Sequence, residues 1–169
     1  MADQQDEEYH GYVQSAVPAL RRLAYVLCQD AHRADDVVQS ALVKLYERWD
    51  RAREASNLDA YARTTLVRTF LSERRTAWAK RVVLVDRIPE TSTPAGLDVA
   101  STLDLRAALA SLPPKQRAVL VLRFFVDLSV EETADTLGFP IGTVKSHTSR
   151  GLAALRRALP DELSTGSRS

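Results

Sequence analysis

Apolar residues recur at three- and four-residue intervals through most of the chain, the spacing that gathers them on one side of an α-helix. Leu20, Leu23, Ala24 and Leu27 make the first such stripe, and Val38, Ala41, Leu42, Leu45 and Trp49 a longer second one. A third runs through Leu58, Ala62, Leu66 and Phe70, with basic residues on its remaining faces. No alternation of apolar and polar residues is long enough to support a sheet, so the pattern predicts an all-α protein. Three helices of this kind can share one core.

The periodicity fades between Asp86 and Ala100, where Pro89, Pro94, Gly96 and several hydroxyl residues have the composition of a linker. After it, Leu105, Ala108, Leu109 and Leu112 predict a short helix stopped by Pro113 and Pro114. Ala118, Val121, Leu122 and Phe125 predict the next, and Val130, Thr133, Ala134 and Leu137 another, ended by Gly138. Val144, Thr148, Gly151, Leu152, Leu155 and Leu159 line the last. The chain therefore reads as two small helical domains, residues 9–83 and 102–160, joined by a flexible linker over 84–101. A small polar tail, 161–169, is expected to be disordered.

Composition agrees with that division, since 169 residues with 45% apolar content can bury one medium core or two small ones. The single cysteine, Cys28, cannot form an internal disulfide and lies within an apolar helix, where packing is its ordinary role. The acidic start, Met1 to Glu8, lacks the basic and apolar run of a secretory signal, and no apolar stretch approaches bilayer length. A cytoplasmic location is expected.

The net charge of +1 conceals a separation of charge along the chain. From Arg63 to Arg81 six basic residues (Arg63, Arg68, Arg74, Arg75, Lys80, Arg81) face one acid, Glu73, a local balance of +5 that suits a polyanion. Between Asp30 and Asp50 acids predominate instead, which favours a protein partner over DNA.

The sharpest local signal runs from Ser129 to Arg150, two helices separated by a turn too short to be a loop. Ala134 is small enough for the second helix to approach, Gly138 permits a positive φ, Pro140 suits a helix start, and Val144 provides a core anchor. The helix that follows presents Thr143, Lys145, Ser146, His147, Ser149 and Arg150 with no acid among them, a face suited to the DNA major groove. Lys145 and Arg150 are phosphate or guanine ligands by chemistry; the others suit base edges or phosphates equally. A tight helical hairpin with a solvated basic face is the plainer reading of the same residues.

Two separated blocks resemble the extracytoplasmic-function RNA polymerase sigma factors of the sigma-70 superfamily. Ala34-Asp35-Asp36-Val37-Val38-Gln39 with Ala41-Leu42-Val43-Lys44-Leu45-Tyr46 is similar to region 2.2 of that family. Leu112-Pro113-Pro114-Lys115-Gln116-Arg117, Leu128-Ser129-Val130-Glu131-Glu132-Thr133-Ala134 and Gly142-Thr143-Val144-Lys145-Ser146-His147 are similar to region 4. Gly142 to Ser146 and Thr148 to Leu152 look most like the SigE-like subfamily of actinobacteria. The chain departs from the family at Arg68, where many relatives carry Asn, and at His147, where they carry Arg or Gln.

The resemblance implies that the first domain binds core polymerase at the beta-prime coiled coil, through Asp35, Asp36 and Gln39. The plainer reading of the two aspartates is that they are first-turn acids favoured by the helix dipole. It also implies that Arg63, Arg68, Arg74, Arg75, Lys80 and Arg81 hold the phosphates of a melting −10 element. The loop from Trp49 to Leu58 would then capture a flipped base. Trp78 suits either stacking at the edge of the bubble or a place in the core, whereas Trp49 suits the core. The second domain would dock on the beta flap and put the helix from Thr143 onward into the −35 major groove. An anti-sigma factor is a common partner of such proteins.

Catalysis, a metal and a cofactor are not expected: His10, His32 and His147 are widely spaced, and no phosphate loop or triad can be assembled. The alternative is a stand-alone helix-turn-helix regulator, which would need a ligand or dimer module in place of the first domain.

Overall fold

The computed structural model describes residues 1–80 and 99–159, the side chains of 74–80 and 99–102 excepted. All regular structure among the described residues is helical, in agreement with the periodicity. The chain divides into two compact units, one within Met1–Val85 and one within Asp86–Ser169.

The first unit is built from α1 (Ala2–Cys28), α2 (Ala31–Glu47), α3 (Trp49–Arg53) and α4 (Leu58–Lys80). α1 stops where Gln29 takes a left-handed φ of 56° and donates its amide to the Tyr25 carbonyl at 2.8 Å. Asp30 then caps α2, its carboxylate accepting from the amides of His32 and Arg33 at 3.0 and 3.3 Å. This short reversal folds α2 back on α1. Leu20, Leu23, Ala24 and Leu27 of α1, Val37, Val38, Ala41 and Leu45 of α2, and Ala62, Leu66, Val67 and Phe70 of α4 are all buried, and the three helices pack on one another around this core. Each large side chain so buried contributes roughly 2 kcal/mol.

Two features depart from the sequence pattern. The second apolar stripe does not run through one helix, because α2 breaks at Arg48 (φ −115°, ψ 20°) and Trp49 begins α3. The expected loop from Trp49 to Leu58 is therefore a short helix followed by the turn 54–57, with Trp49 and Ala52 buried. Asn57 opens α4 by accepting the Ala60 amide on its Oδ1 at 2.9 Å. The second feature is that α1 reaches forward to Ala2. Tyr9 holds these early turns down: its hydroxyl donates to the Leu42 carbonyl at 2.7 Å, and its ring meets Tyr46 and Trp49 edge-on at 5.0 and 5.4 Å.

The second unit comprises α5 (Val99–Ser111), α6 (Pro114–Leu120), α7 (Val130–Leu137) and α8 (Ile141–Ala158). Pro114 occupies the first turn of α6, where its missing N–H leaves no bond unmade. Arg117 is buried at 2% exposure. It donates to the carbonyls of Leu109, Ala110 and Leu112 at 2.7, 2.9 and 2.9 Å, satisfying the end of α5 that precedes the two prolines.

After Leu120 the helix widens into a π-turn over Val121–Phe125, closed by the Val126 amide on the Val121 carbonyl at 3.0 Å. The extra residue rotates the following side chains outward. Phe125, expected on the buried stripe, is 53% exposed, and Phe124 is 58% exposed.

Candidate nucleic-acid interface

The helix-turn-helix is fixed by bonds that its residue types make locally. Ser129 and Glu132 form a capping box on α7: the Ser129 hydroxyl accepts the Glu132 amide at 3.0 Å, and the Glu132 carboxylate accepts the Ser129 amide at 3.3 Å. α7 ends at Gly138, whose φ of 70° turns the chain while its amide and that of Phe139 both donate to the Ala134 carbonyl. Pro140 caps α8, and Val144 one turn later is fully buried. Farther along, Gly151 lets α8 cross α6, since a β-carbon there would stand 2.8 Å from Leu120 Cδ1.

With that face anchored, Lys145, Ser146, Ser149 and Arg150 point outward and are exposed, while Thr143 and His147 are half-buried. α8 as a whole holds Lys145, Arg150, Arg156 and Arg157 and no acid. His147 differs from the other candidates because its ring lies 5.9 Å from that of Phe139 and its Nδ1 is buried without a hydrogen-bond partner. Burial, then the charges of Arg150 and Lys115, hold its imidazole below the usual value of 6.5. Lys115 reaches this edge from α6, its Nζ 5.8 Å from the Phe139 ring. Sequence reading did not single it out as a site residue, nor Ile141, which is 44% exposed at the start of α8.

In the first unit Asp36 and Gln39 are exposed on α2. Asp35 is half-buried and accepts from Nε and Nη2 of Arg21 at 3.1 and 3.0 Å, tying α2 to α1. The first turn of α2 contains no acid, so the dipole reading of these aspartates does not apply to it. Val43, 59% exposed, extends the Asp36 and Gln39 face and was not anticipated.

On α4, Arg68 is exposed and Arg63 half-buried, with its Nε buried and lacking a hydrogen-bond partner. The side chains of Arg74, Arg75, Trp78 and Lys80, and the whole of Arg81, lie outside the described residues, as do most of the linker and the tail. Beside α4, the Tyr12 hydroxyl donates to Asp59 Oδ1 at 2.9 Å and reaches the Leu58 carbonyl at 3.4 Å. Burial first, then the Asp59 carboxylate, push its phenol well above the ordinary value.

Two family profiles match the chain, Sigma-70 region 2 over residues 12–80 and Sigma-70 region 4 over residues 102–155. The RNA polymerase sigma-E factor of Streptomyces avermitilis is 39% identical over 160 residues, covering 90% of this chain and 85% of the relative. The chain belongs to the sigma-70 family. Within that family this sigma factor falls in the extracytoplasmic-function group. The group's EcfG factor from Rhodopseudomonas palustris is 33% identical to it, over 86% of this chain and 81% of the relative. The sigma factor RpoE of Bartonella quintana, solved with the anti-sigma factor NepR, superposes with a TM-score of 0.75 at 28% identity, covering 95% of this sigma factor and 99% of that chain. The match over residues 12–80 removes the stand-alone regulator, which has no use for a region 2.

Proposed function

We propose that this sigma factor binds core RNA polymerase and directs promoter-specific initiation in the cytoplasm, associating with the nucleoid as part of that complex and carrying out no chemistry of its own. The observation that carries the reading is the acid-free outer face of α8 in one unit, on the same chain as a region 2 in the other. Lys145, Ser146, Ser149 and Arg150 enter the −35 major groove, with Thr143 and His147 at the margin of that contact. Arg63, Arg68, Arg74, Arg75, Lys80, Arg81 and Trp78 hold the −10 strand as it separates, and a displaced base is held at the turn 54–57. Asp36 and Gln39, with Asp35 behind them, meet the beta-prime coiled coil, and the second unit meets the beta flap.

The exposure of the α2 and α8 faces supports these assignments, and the absence of acids along α8 favours them over a tight helical hairpin with a solvated basic face. An anti-sigma factor as further partner is supported by the Bartonella relative, which was solved with one. The test is run-off transcription with purified core polymerase on genomic templates. Promoter-specific transcripts that require the chain are expected; a chain that binds duplex DNA alone as a symmetric dimer and ignores core polymerase would overturn the reading.

A further inference from the structure

The first turns of α1 are bonded to α3 and to the ends of α2 and α4 that flank it. Gln5 Nε2 donates to Asp50 Oδ1 at 2.9 Å, and Arg53 Nη1 pairs with Glu8 Oε2 at 3.2 Å. Arg53 Nη2 meets Asp50 at 3.4 Å, which closes a polar chain along α3. Tyr46 donates to Asp6 at 2.8 Å, the Tyr9 ring packs edge-on against Trp49, and the Tyr12 ring lies 5.7 Å from Trp49. Tyr12 then reaches past α3 to Asp59 and the Leu58 carbonyl in the first turn of α4.

These contacts hold both ends of the segment from Trp49 to Leu58 and leave its middle open. Glu54, Ser56 and Asn57 are exposed. Gln5, Asp6, Glu8 and Tyr9 lie ahead of the stretch that matches Sigma-70 region 2. A turn of four residues between two helices has little packing of its own, so its shape follows the angle and separation of those helices. A clamp that fixes both helices to a third element limits that motion, and a preorganised site loses less entropy when it captures a ligand.

We propose that the leading turns of α1 position the turn 54–57 for single-stranded DNA, with Tyr12 and the Glu8–Arg53 pair as positioning residues that touch no nucleic acid themselves. The proposal rests on the reading of that turn as the holder of a displaced −10 base. Of the two, Tyr12 contributes more, because its half-buried ring packs near Trp49 while its hydroxyl bonds Asp59 at 2.9 Å, whereas Glu8 and Arg53 are both exposed.

The experiment uses the full chain on core polymerase and a forked duplex whose −10 strand is selected from a randomised pool. The affinity for the selected strand is compared with that for a scrambled one. Tyr12→Phe, which keeps the ring on Trp49, is expected to lower this selectivity about fivefold, less than the full loss of one charge-assisted bond because the effect reaches the turn indirectly. Glu8→Gln lowers it less, and Glu8→Asp retains it. Binding to core polymerase and to a −35 duplex stays unchanged in all three. Unaltered selectivity in the Tyr12→Phe/Glu8→Gln double variant overturns the proposal, and so does a parallel loss of core binding, which would mean that the unit has merely loosened. Replacing Glu54 and Ser56 by alanine separates the two layers. If that change abolishes selectivity while Tyr12→Phe does not, only the positioning role fails; if it has no effect, the turn does not hold the base and the proposal falls with it.

Discussion

Arg117 and His147 show how far the burial of a polar side chain can differ from what its type implies. A sequence places arginine at the surface, and Arg117 came to notice only inside a family motif. The structure gives it three main-chain carbonyls and almost no water. Its planar fork can serve several acceptors at once, which an ammonium cannot. Arg117→Met should destabilise the second unit by about 3 kcal/mol or more, because several buried acceptors lose their donor together. Arg117→Lys should recover little of that loss, as urea unfolding would show. His147 carries the opposite lesson, since burial and two neighbouring cations favour its neutral form in the fold. The unfolded chain therefore binds the proton more readily than the folded one. This residue's contribution to stability is complete above its unfolded value of 6.5 and declines as the pH falls below that point. Thermal melts at about pH 7.5 and about pH 5.5 should show the second unit weakening in acid, and His147→Gln should remove part of that dependence.

Helices were legible wherever an apolar stripe decided them. Leu20 to Leu27, Ala62 to Phe70 and the anchors Ala134, Gly138 and Val144 all do what their spacing implies. Three features were not legible, each for a physical reason. The front of α1 is held by tyrosine hydroxyls and a tryptophan edge, contacts made with residues more than thirty positions away that leave no local period. The break at Arg48 lies within a stripe that stays in phase across it. The π-turn inserts one residue per turn, which a 3.6-residue period cannot register until Phe124 and Phe125 are found facing solvent. The two glycines of α8 separate packing from propensity. A β-carbon at Gly142 meets nothing within 4 Å, so Gly142→Ala should raise stability by about 0.5–1 kcal/mol through helix propensity alone. Gly151→Val should instead lower the melting temperature by several degrees, because α8 would be pushed off Leu120.

For the molecule as a whole, the division into two helical units was readable from the change in composition after residue 85, and the sigma-70 resemblance from motifs on both sides of it. Which side chains lie exposed along α8 and beside it was readable only in part. Periodicity sorts inside from outside, yet it did not single out Lys115 as a site residue, because that residue reaches Phe139, just ahead of α8, from another element. On the proposed function, two DNA surfaces on one chain make the second contact intramolecular, so neither has to be strong alone. Their attraction to phosphate is electrostatic, and each charge that displaces a counterion contributes about 0.9 to the slope of log affinity against log salt. Lys145→Ala with Arg150→Ala should flatten that slope for a −35 duplex by about 1.8, and a salt series by anisotropy would read it. An unchanged slope would place those two side chains away from the backbone.

The packing of Tyr9 and Tyr12 against buried Trp49, one edge-on and one tilted, also furnishes an optical gauge. An indole shielded from water emits toward the blue and collects excitation energy from tyrosines at van der Waals range. Lifting the front of α1 should therefore redden and dim the fluorescence. With Trp78 replaced by phenylalanine, Trp49 is the only tryptophan in the chain, and its emission band in the free protein would follow in real time whether the front of α1 stays down.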